Sequence, residues 1–139
     1  MLETEPQIIE RYIRTGKAKI VYRHLLQLGD RSERAAEANE CAGDQGKFWQ
    51  MRHLLYERQS DLYDAQDLDG LLTNLAQGLG MDGGTLGTCL SKHTHQAAVA
   101  ADSAASTAAG ITGRPVFIIG TTRIIGAQPI TAFEQALGT

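Results

Sequence analysis

The sequence predicts an α/β fold in which a large helical insertion interrupts a smaller mixed part. Three observations support this: a helix and an alternating segment open the chain, a long stretch without a convincing strand pattern follows, and a hairpin and a helix close it. The chain has 139 residues, 42% of them hydrophobic, which suits a single domain with one core. We therefore assign residues 1–29 and 110–139 to the mixed part and residues 30–109 to the helical insertion.

The first predicted elements are a helix and a strand. Apolar residues recur at helical spacing over residues 6–13, and Gly16 follows as a residue that can end the helix. The stripe consists of Ile8, Ile9, Tyr12 and Ile13. Residues 17–23 then alternate, with Ala18, Ile20 and Tyr22 on one face, which predicts a strand.

The insertion is predicted to contain helices and no strand. Five segments show helical patterns: residues 32–44, 47–59, 67–80, 83–92 and 95–110. The apolar face of the last segment consists almost wholly of alanine. Side chains this small predict close packing of that face against a neighbouring element.

The end of the chain predicts a hairpin and a closing helix. Residues 115–119 and 123–126 are strand-like and flank a turn at 120–122, and a helix follows from Ile130 to Leu137. Pro115 opens the first strand, although proline cannot donate to a ladder. This position indicates either a turn or sheet edge, or a cis proline beside a functional site.

Charge and composition exclude several classes of partner. The net charge is −3 and no lysine or arginine cluster is present, which argues against nucleic acid or an anionic membrane as the main partner. No apolar stretch approaches the roughly 20 residues of a membrane-spanning helix. The opening residues have neither a basic start nor an apolar core, so no signal peptide is predicted. Nothing in the sequence calls for a cofactor.

Two motifs occur together: QGKFW at residues 45–49, and GRPVFIIG at 113–120 followed by GAQP at 126–129. With them, essentially the whole chain resembles the DsbA-like thiol–disulfide oxidoreductases, which have a thioredoxin-like fold with a helical insertion. The resemblance implies disulfide formation or exchange in exported proteins, hence an extracytoplasmic location. It also implies an extended peptide or protein substrate that docks beside a cis proline.

The resemblance assigns substrate-binding residues. Pro115 matches the cis proline of the family, and Gly113 and Arg114 stand beside it. Arg114 departs from the family pattern, in which a small or β-branched residue is usual. A cation at that position would favour the thiolate form of a nearby cysteine.

The CxxC motif on which this chemistry depends does not occur in the sequence. In the family it follows a strand and opens the first long helix, and this chain starts inside that helix. We therefore expect a chain that is N-terminally truncated relative to the family and inactive by itself, and we assign no catalytic residue. The alternative function is a redox-dead module that binds peptides at the edge near Pro115. A weaker alternative is an autonomous enzyme that uses Cys41 or Cys89.

These two cysteines lie 48 positions apart, which is not the spacing of a redox motif. Some members of the family carry a second cysteine pair in matching positions, so the resemblance implies a structural disulfide between Cys41 and Cys89. Two free buried thiols are the alternative. Cys89 and His93 have metal-ligand spacing, with His95 close by. No further ligand completes that set, so we expect solvated histidines and assign no metal site.

The absent strand has a consequence for assembly. In the thioredoxin arrangement it lies between the counterparts of residues 17–23 and 115–119. Its neighbours could close directly on one another, or a second copy of the chain could cover them. The stripe of the first helix would also be poorly covered, and exposed apolar surface usually marks an interface. We therefore expect a homodimer built around residues 1–23.

Overall fold

A computed structural model describes residues 3–26 and 29–138. The chain divides into two compact units. The terminal unit comprises the residues before His24 and those after Ser106, and the helical unit comprises residues 24–106.

The terminal unit begins with one continuous helical segment, first α-helical and then π-helical. Helix α1 spans Thr4–Ile8 and continues as a π-helical turn over Ile9–Ile13, where the backbone N–H of Arg14 donates to the carbonyl oxygen of Ile9. Ile8 and Tyr12, one turn apart, are only 7% and 6% exposed. The expectation that this stripe would be poorly covered was therefore wrong for these two residues, and Ile8 belongs to the apolar core of the terminal unit.

The strand predicted at residues 17–23 was also wrong. In the part of the chain that the structure describes, the sheet has two strands, and neither includes this segment. It does not close on residues 115–119 either. Ala18, Ile20 and Tyr22 are nevertheless half-buried, whereas Val21 is 60% exposed. The alternation in the sequence thus reports which face is covered, whereas a strand requires a partner for its backbone.

The described sheet is an antiparallel hairpin of β1, Val116–Ile119, and β2, Thr122–Ile125. Val116 pairs with Ile125 and Phe117 pairs with Ile124, and helix α8, Ile130–Leu137, follows. One face of the hairpin meets α8, where the rings of Phe117 and Phe133 pack edge to face with centroids 4.9 Å apart. Around this contact gather Ile8, Ile119, Ile124, Ile130, Ala136 and Leu137.

Six helices begin among the described residues of the helical unit. They are α2, Asp30–Asp44; α3, Phe48–Glu57; α4, Gln59–Asp64; α5, Leu68–Gly78; α6, Gly83–Ser91; and α7, Gln96–Ala108. The sequence predicts five of them; α4 is the addition, separated from α3 by a break at Arg58. Asp67 and Asp82 cap α5 and α6 by accepting from the backbone N–H groups of Gly70 and Thr85.

The core of this unit lies where α2, α3, α5 and α6 meet. Ala38 and Ala42 of α2 have no exposed surface, so their small side chains let the neighbouring helices approach closely. The largest side chains packed there are Met51, Leu72, Leu86 and Leu90. This core fixes the relative positions of the helices that carry both cysteines.

Helix α7 differs from its prediction. Its alanines are exposed, and its buried residues are Val99 and Ser106. The inner face of α7 is therefore partly polar. Its polar side chains bind backbone N–H groups of residues 24 and 26. Asp102 Oδ2 accepts from the N–H of His24 at 3.1 Å, and Ser103 Oγ accepts from the N–H of Leu26 at 3.0 Å. These side chains satisfy groups that a neighbouring strand would otherwise pair.

Candidate functional site

A disulfide joins two helices of the helical unit. Cys41 on α2 and Cys89 on α6 have Sγ atoms 2.06 Å apart and Cα atoms 6.0 Å apart. Cys41 is 2% exposed, whereas Cys89 is half-buried. Both cysteines of the sequence are used in this bond, so the chain has no free thiol.

Asp44 and His95 stand beside the disulfide. Asp44 lies one helical turn after Cys41 on α2, and its Oδ2 is 3.8 Å from Cys89 Sγ. The same oxygen is 2.7 Å from Nε2 of His95, which lies in the turn before α7. The carboxylate can only accept, so Nε2 carries the proton and donates it to this bond.

The unequal exposure of the two sulfurs determines what the bond can do. A thiolate from outside can reach Cys89, and an attack there expels Cys41 as the leaving thiolate. Cys41 itself is closed to direct attack because it is buried among the core helices. The disulfide therefore joins α2 to α6, and Cys89 is the more exposed of its two residues.

The ligand-like spacing in the sequence joins Cys89 to His93, with His95 close by, and leaves out Asp44. His93 points elsewhere: its backbone has a positive φ of 50°, and its Nδ1 lies 3.1 Å from Glu37 Oε1 and 3.2 Å from Arg34 Nη1. The spacing of Cys41 and Asp44 would have shown that they share a helical face. The position of His95 could not be found this way, because it depends on the turn between α6 and α7.

A second polar cluster ties α2 to α5. Arg34 forms a bidentate pair with Asp69, with both N–O distances 2.7 Å, and it also donates to Glu37 at 3.2 Å. Glu37 is buried, at 2% exposure. The hydrogen bonds from Arg34 lower the pKa of Asp69 below its ordinary value, and the bond to Asp69 raises the pKa of Arg34.

The residues expected to bind substrate lie in the terminal unit. The Arg114–Pro115 peptide bond is cis. Arg114 is exposed, Gly113 and Pro115 are half-buried, and the carbonyl oxygen of Pro115 accepts from the N–H of Gly126 at 2.9 Å. The loop thus leads directly into β1 and is held to the far end of β2.

Comparison with known proteins identifies the family. A sequence model of the family described as Thioredoxin matches residues 1–138. This chain therefore belongs to the thioredoxin family, and the α/β thioredoxin-like fold predicted from the sequence is confirmed.

Two curated relatives are similar along nearly the whole chain. They are the Na(+)/H(+) antiporter NhaA 1 of Salinispora arenicola (strain CNS-205), 29% identical, and the Na(+)/H(+) antiporter NhaA 3 of Salinispora tropica (strain ATCC BAA-916), 28% identical. Each match covers 97% of this chain but 20% of the relative. Among the helices that the structure describes, none has the length and apolar character needed to cross a membrane.

Proposed function

We propose that this chain is a DsbA-like thiol–disulfide oxidoreductase domain that receives an extended segment of a protein substrate at Gly113, Arg114 and Pro115. The observation that carries the proposal is the position of this loop directly before β1. It leads into β1, and in the described residues β1 pairs with β2 alone, so its other edge has no strand partner there and could pair with an added strand. Extended peptides bind to such edges through their backbone.

The family and the cysteines support the redox part of the proposal. The chain belongs to the thioredoxin family, and it carries a disulfide outside any CxxC motif. Disulfides persist in oxidising compartments, so we place the work of this domain outside the cytoplasm. Because Cys41 and Cys89 are bonded to each other, they supply no free thiolate for exchange, and the part of this chain is to bind the substrate.

The same observations favour one second candidate function. Since both cysteines are engaged, the loop at Gly113–Pro115 could bind peptides with no exchange chemistry at all. The names of the two relatives describe much longer proteins, of which this chain matches 20%, so we do not extend ion antiport to it.

The binding role is tested with two fluorescent extended peptides that are identical except for one flanking residue, aspartate in one and lysine in the other. Because Arg114 is exposed beside the loop, the wild-type chain should bind the aspartate peptide more tightly, and Arg114→Glu should reverse the preference. Lys92→Glu makes the same charge change in the helical unit and serves as the control. Equal anisotropy curves for both peptides with wild type and with Arg114→Glu would contradict the assignment.

Both candidate functions predict that the chain alone has no turnover, and a chain with an added CxxC segment separates them. We expect the chain alone to catalyse neither insulin reduction nor dithiol oxidation above background. Turnover that disappears in Cys89→Ser would place the nucleophile in the helical unit and contradict this expectation. If peptides bind and the chain shows no turnover, joining a CxxC-bearing strand and helix start ahead of Met1 distinguishes the candidates: turnover supports the oxidoreductase, and its absence supports the binding module.

A further inference from the structure

Two polar side chains, Asp44 and His95, lie beside the disulfide, although a structural disulfide requires neither. Among the residues that the structure describes, Cys41, Cys89 and His95 each place one possible ligand atom, the two sulfurs and one imidazole nitrogen, within 4.8 Å of the others. We propose that reduction of the disulfide turns this set into a zinc site, with Asp44 positioning the histidine. The proposal is independent of the peptide-binding loop, which belongs to the other unit.

The donor atoms suit zinc in kind and in placement. Zinc prefers thiolate sulfur and imidazole nitrogen, at about 2.3 Å and about 2.0–2.1 Å, in tetrahedral geometry. The three ligands come from α2, α6 and the turn before α7, and the core of the helical unit fixes α2 and α6 against each other. Zinc binding requires the Nδ1 edge of His95 and the two sulfurs to turn towards one ion from this starting spread of 4.8 Å. Water fills the fourth position.

Asp44 prepares the histidine for this role. Its Oδ2 accepts a hydrogen bond from the Nε2–H of His95 at 2.7 Å, which leaves Nδ1 as the nitrogen with a free lone pair. A carboxylate that holds the second ring nitrogen of a zinc-binding histidine fixes its tautomer and its orientation. Asp44 also lies beside Cys89, at 3.8 Å, so the carboxylate, the imidazole and the sulfur form one continuous cluster.

The reaction that opens the site is reduction by a dithiol. A thiolate of the reductant attacks Cys89 Sγ, which is the accessible sulfur, and Cys41 leaves as a thiolate. The second thiol of the reductant then resolves the mixed disulfide and releases Cys89, so the reductant becomes a disulfide and the protein gains two electrons and two protons. Zinc binds both sulfurs, the two protons go to solvent, and zinc stays divalent. The ion then links α2 to α6 in place of the covalent bond.

The test is a Co²⁺ titration of the full chain, oxidised and then reduced with a phosphine, followed by displacement with Zn²⁺. The reduced wild-type chain should bind one metal ion, with the visible bands of tetrahedral cobalt and a near-ultraviolet thiolate band. The oxidised chain should show neither. Zinc should raise the Tm of the reduced chain and leave that of the oxidised chain unchanged.

Three variants keep both cysteines and test the ligand set. His95→Gln should lose the tetrahedral bands, and Asp44→Asn should weaken zinc binding by about 10–100-fold. His53→Gln is the matched control, because His53 is an exposed histidine that also pairs with a carboxylate, Glu57, at 3.0 Å. It should bind metal as the wild-type chain does.

Several results would overturn the proposal. One is metal binding by the reduced chain no greater than by the oxidised chain. Another is a cobalt spectrum of His95→Gln that matches the wild type. Circular dichroism reports whether the reduced metal-free chain is folded, and the titration is repeated in denaturant. An unchanged affinity there would mean that unfolded thiols capture the metal, which also excludes a built site.

Discussion

Arg34 and Asp69 show how one charged pair can fix two helices and also make their contact sensitive to acid. Both oxygens of Asp69 accept from Arg34, and this holds the pKa of the carboxyl group below its ordinary 3.8. The folded chain therefore binds fewer protons at this group than the unfolded chain does in acid. The stabilisation is present above pH 3.8 and is lost as the pH falls through the lower folded-state pKa.

Asp69→Asn should lower the free energy of unfolding at neutral pH by less than about 1 kcal/mol, because the side chain is half exposed and solvent screens the pair. Below pH 3.8 the difference between wild type and variant should shrink towards zero. Denaturant melts at several pH values measure this. Asp64→Asn, at the exposed end of α4, is the control, and a difference for Asp69→Asn that is the same at all pH values would contradict the pairing argument.

At the scale of elements, α7 binds the backbone of a neighbouring segment, which its alanine-rich composition did not indicate. The polar side chains on its inner face bind the backbone of residues 24–26, while its alanines are exposed. Helical periodicity in the sequence showed that α7 exists but not which face is buried. A segment outside any ladder favours packing against the polar face of a helix, whose side chains can bond its N–H groups. Leaving such groups buried and unpaired would cost about 1–3 kcal/mol each.

Asp102→Ala should therefore destabilise the chain by about 1–3 kcal/mol, since it leaves the N–H of His24 without its acceptor. Hydrogen exchange at the His24 amide should accelerate more than exchange within α5. Ala105→Ser, on the exposed face of α7, should change neither measurement. Equal stability of Asp102→Ala and wild type would show that the segment is held by other contacts.

The disulfide joins α2 to α6 across 48 positions of the chain. A crosslink that closes a loop of this length removes conformational freedom from the unfolded chain worth about 4 kcal/mol in the chain-entropy model. We expect Cys41→Ala/Cys89→Ala to lose about 2–4 kcal/mol of stability in denaturant melts. The wild-type chain under a reductant without metal is the matched comparison and should lose a similar amount. A double variant as stable as the oxidised wild type would show that the core alone holds the two helices.

At the scale of the whole molecule, the state of association remains a prediction. The stripe of the first helix offers less apolar surface to a partner than the sequence suggested, because Ile8 and Tyr12 are only 7% and 6% exposed. Residues 18–23 offer a different surface for an interface: they join no described ladder, and Val21 is 60% exposed. We propose that a second copy covers this segment.

Light scattering should then give twice the 15.0 kDa mass of the chain at high micromolar concentration. Val21→Lys should shift the distribution towards monomer, because it places a charge where the copies meet. Tyr63→Lys is the control, since Tyr63 is also exposed but lies on α4 of the helical unit. A clean monomer of the wild-type chain at these concentrations would exclude the dimer.

By itself the sequence predicted the thioredoxin-like fold, five of the six helices described in the helical unit, the first and last helices and the hairpin near Pro115. The helices and the hairpin follow from local periodicity and from glycines that end the elements. The thioredoxin-like fold follows from the family resemblance carried by residues 45–49, 113–120 and 126–129. Tertiary structure alone decided the state of residues 17–23, because strand formation depends on a partner and not on alternation. It also brought His95 to the disulfide and turned the polar face of α7 inward. Those contacts join residues far apart in the chain, and no local pattern records which distant elements will meet.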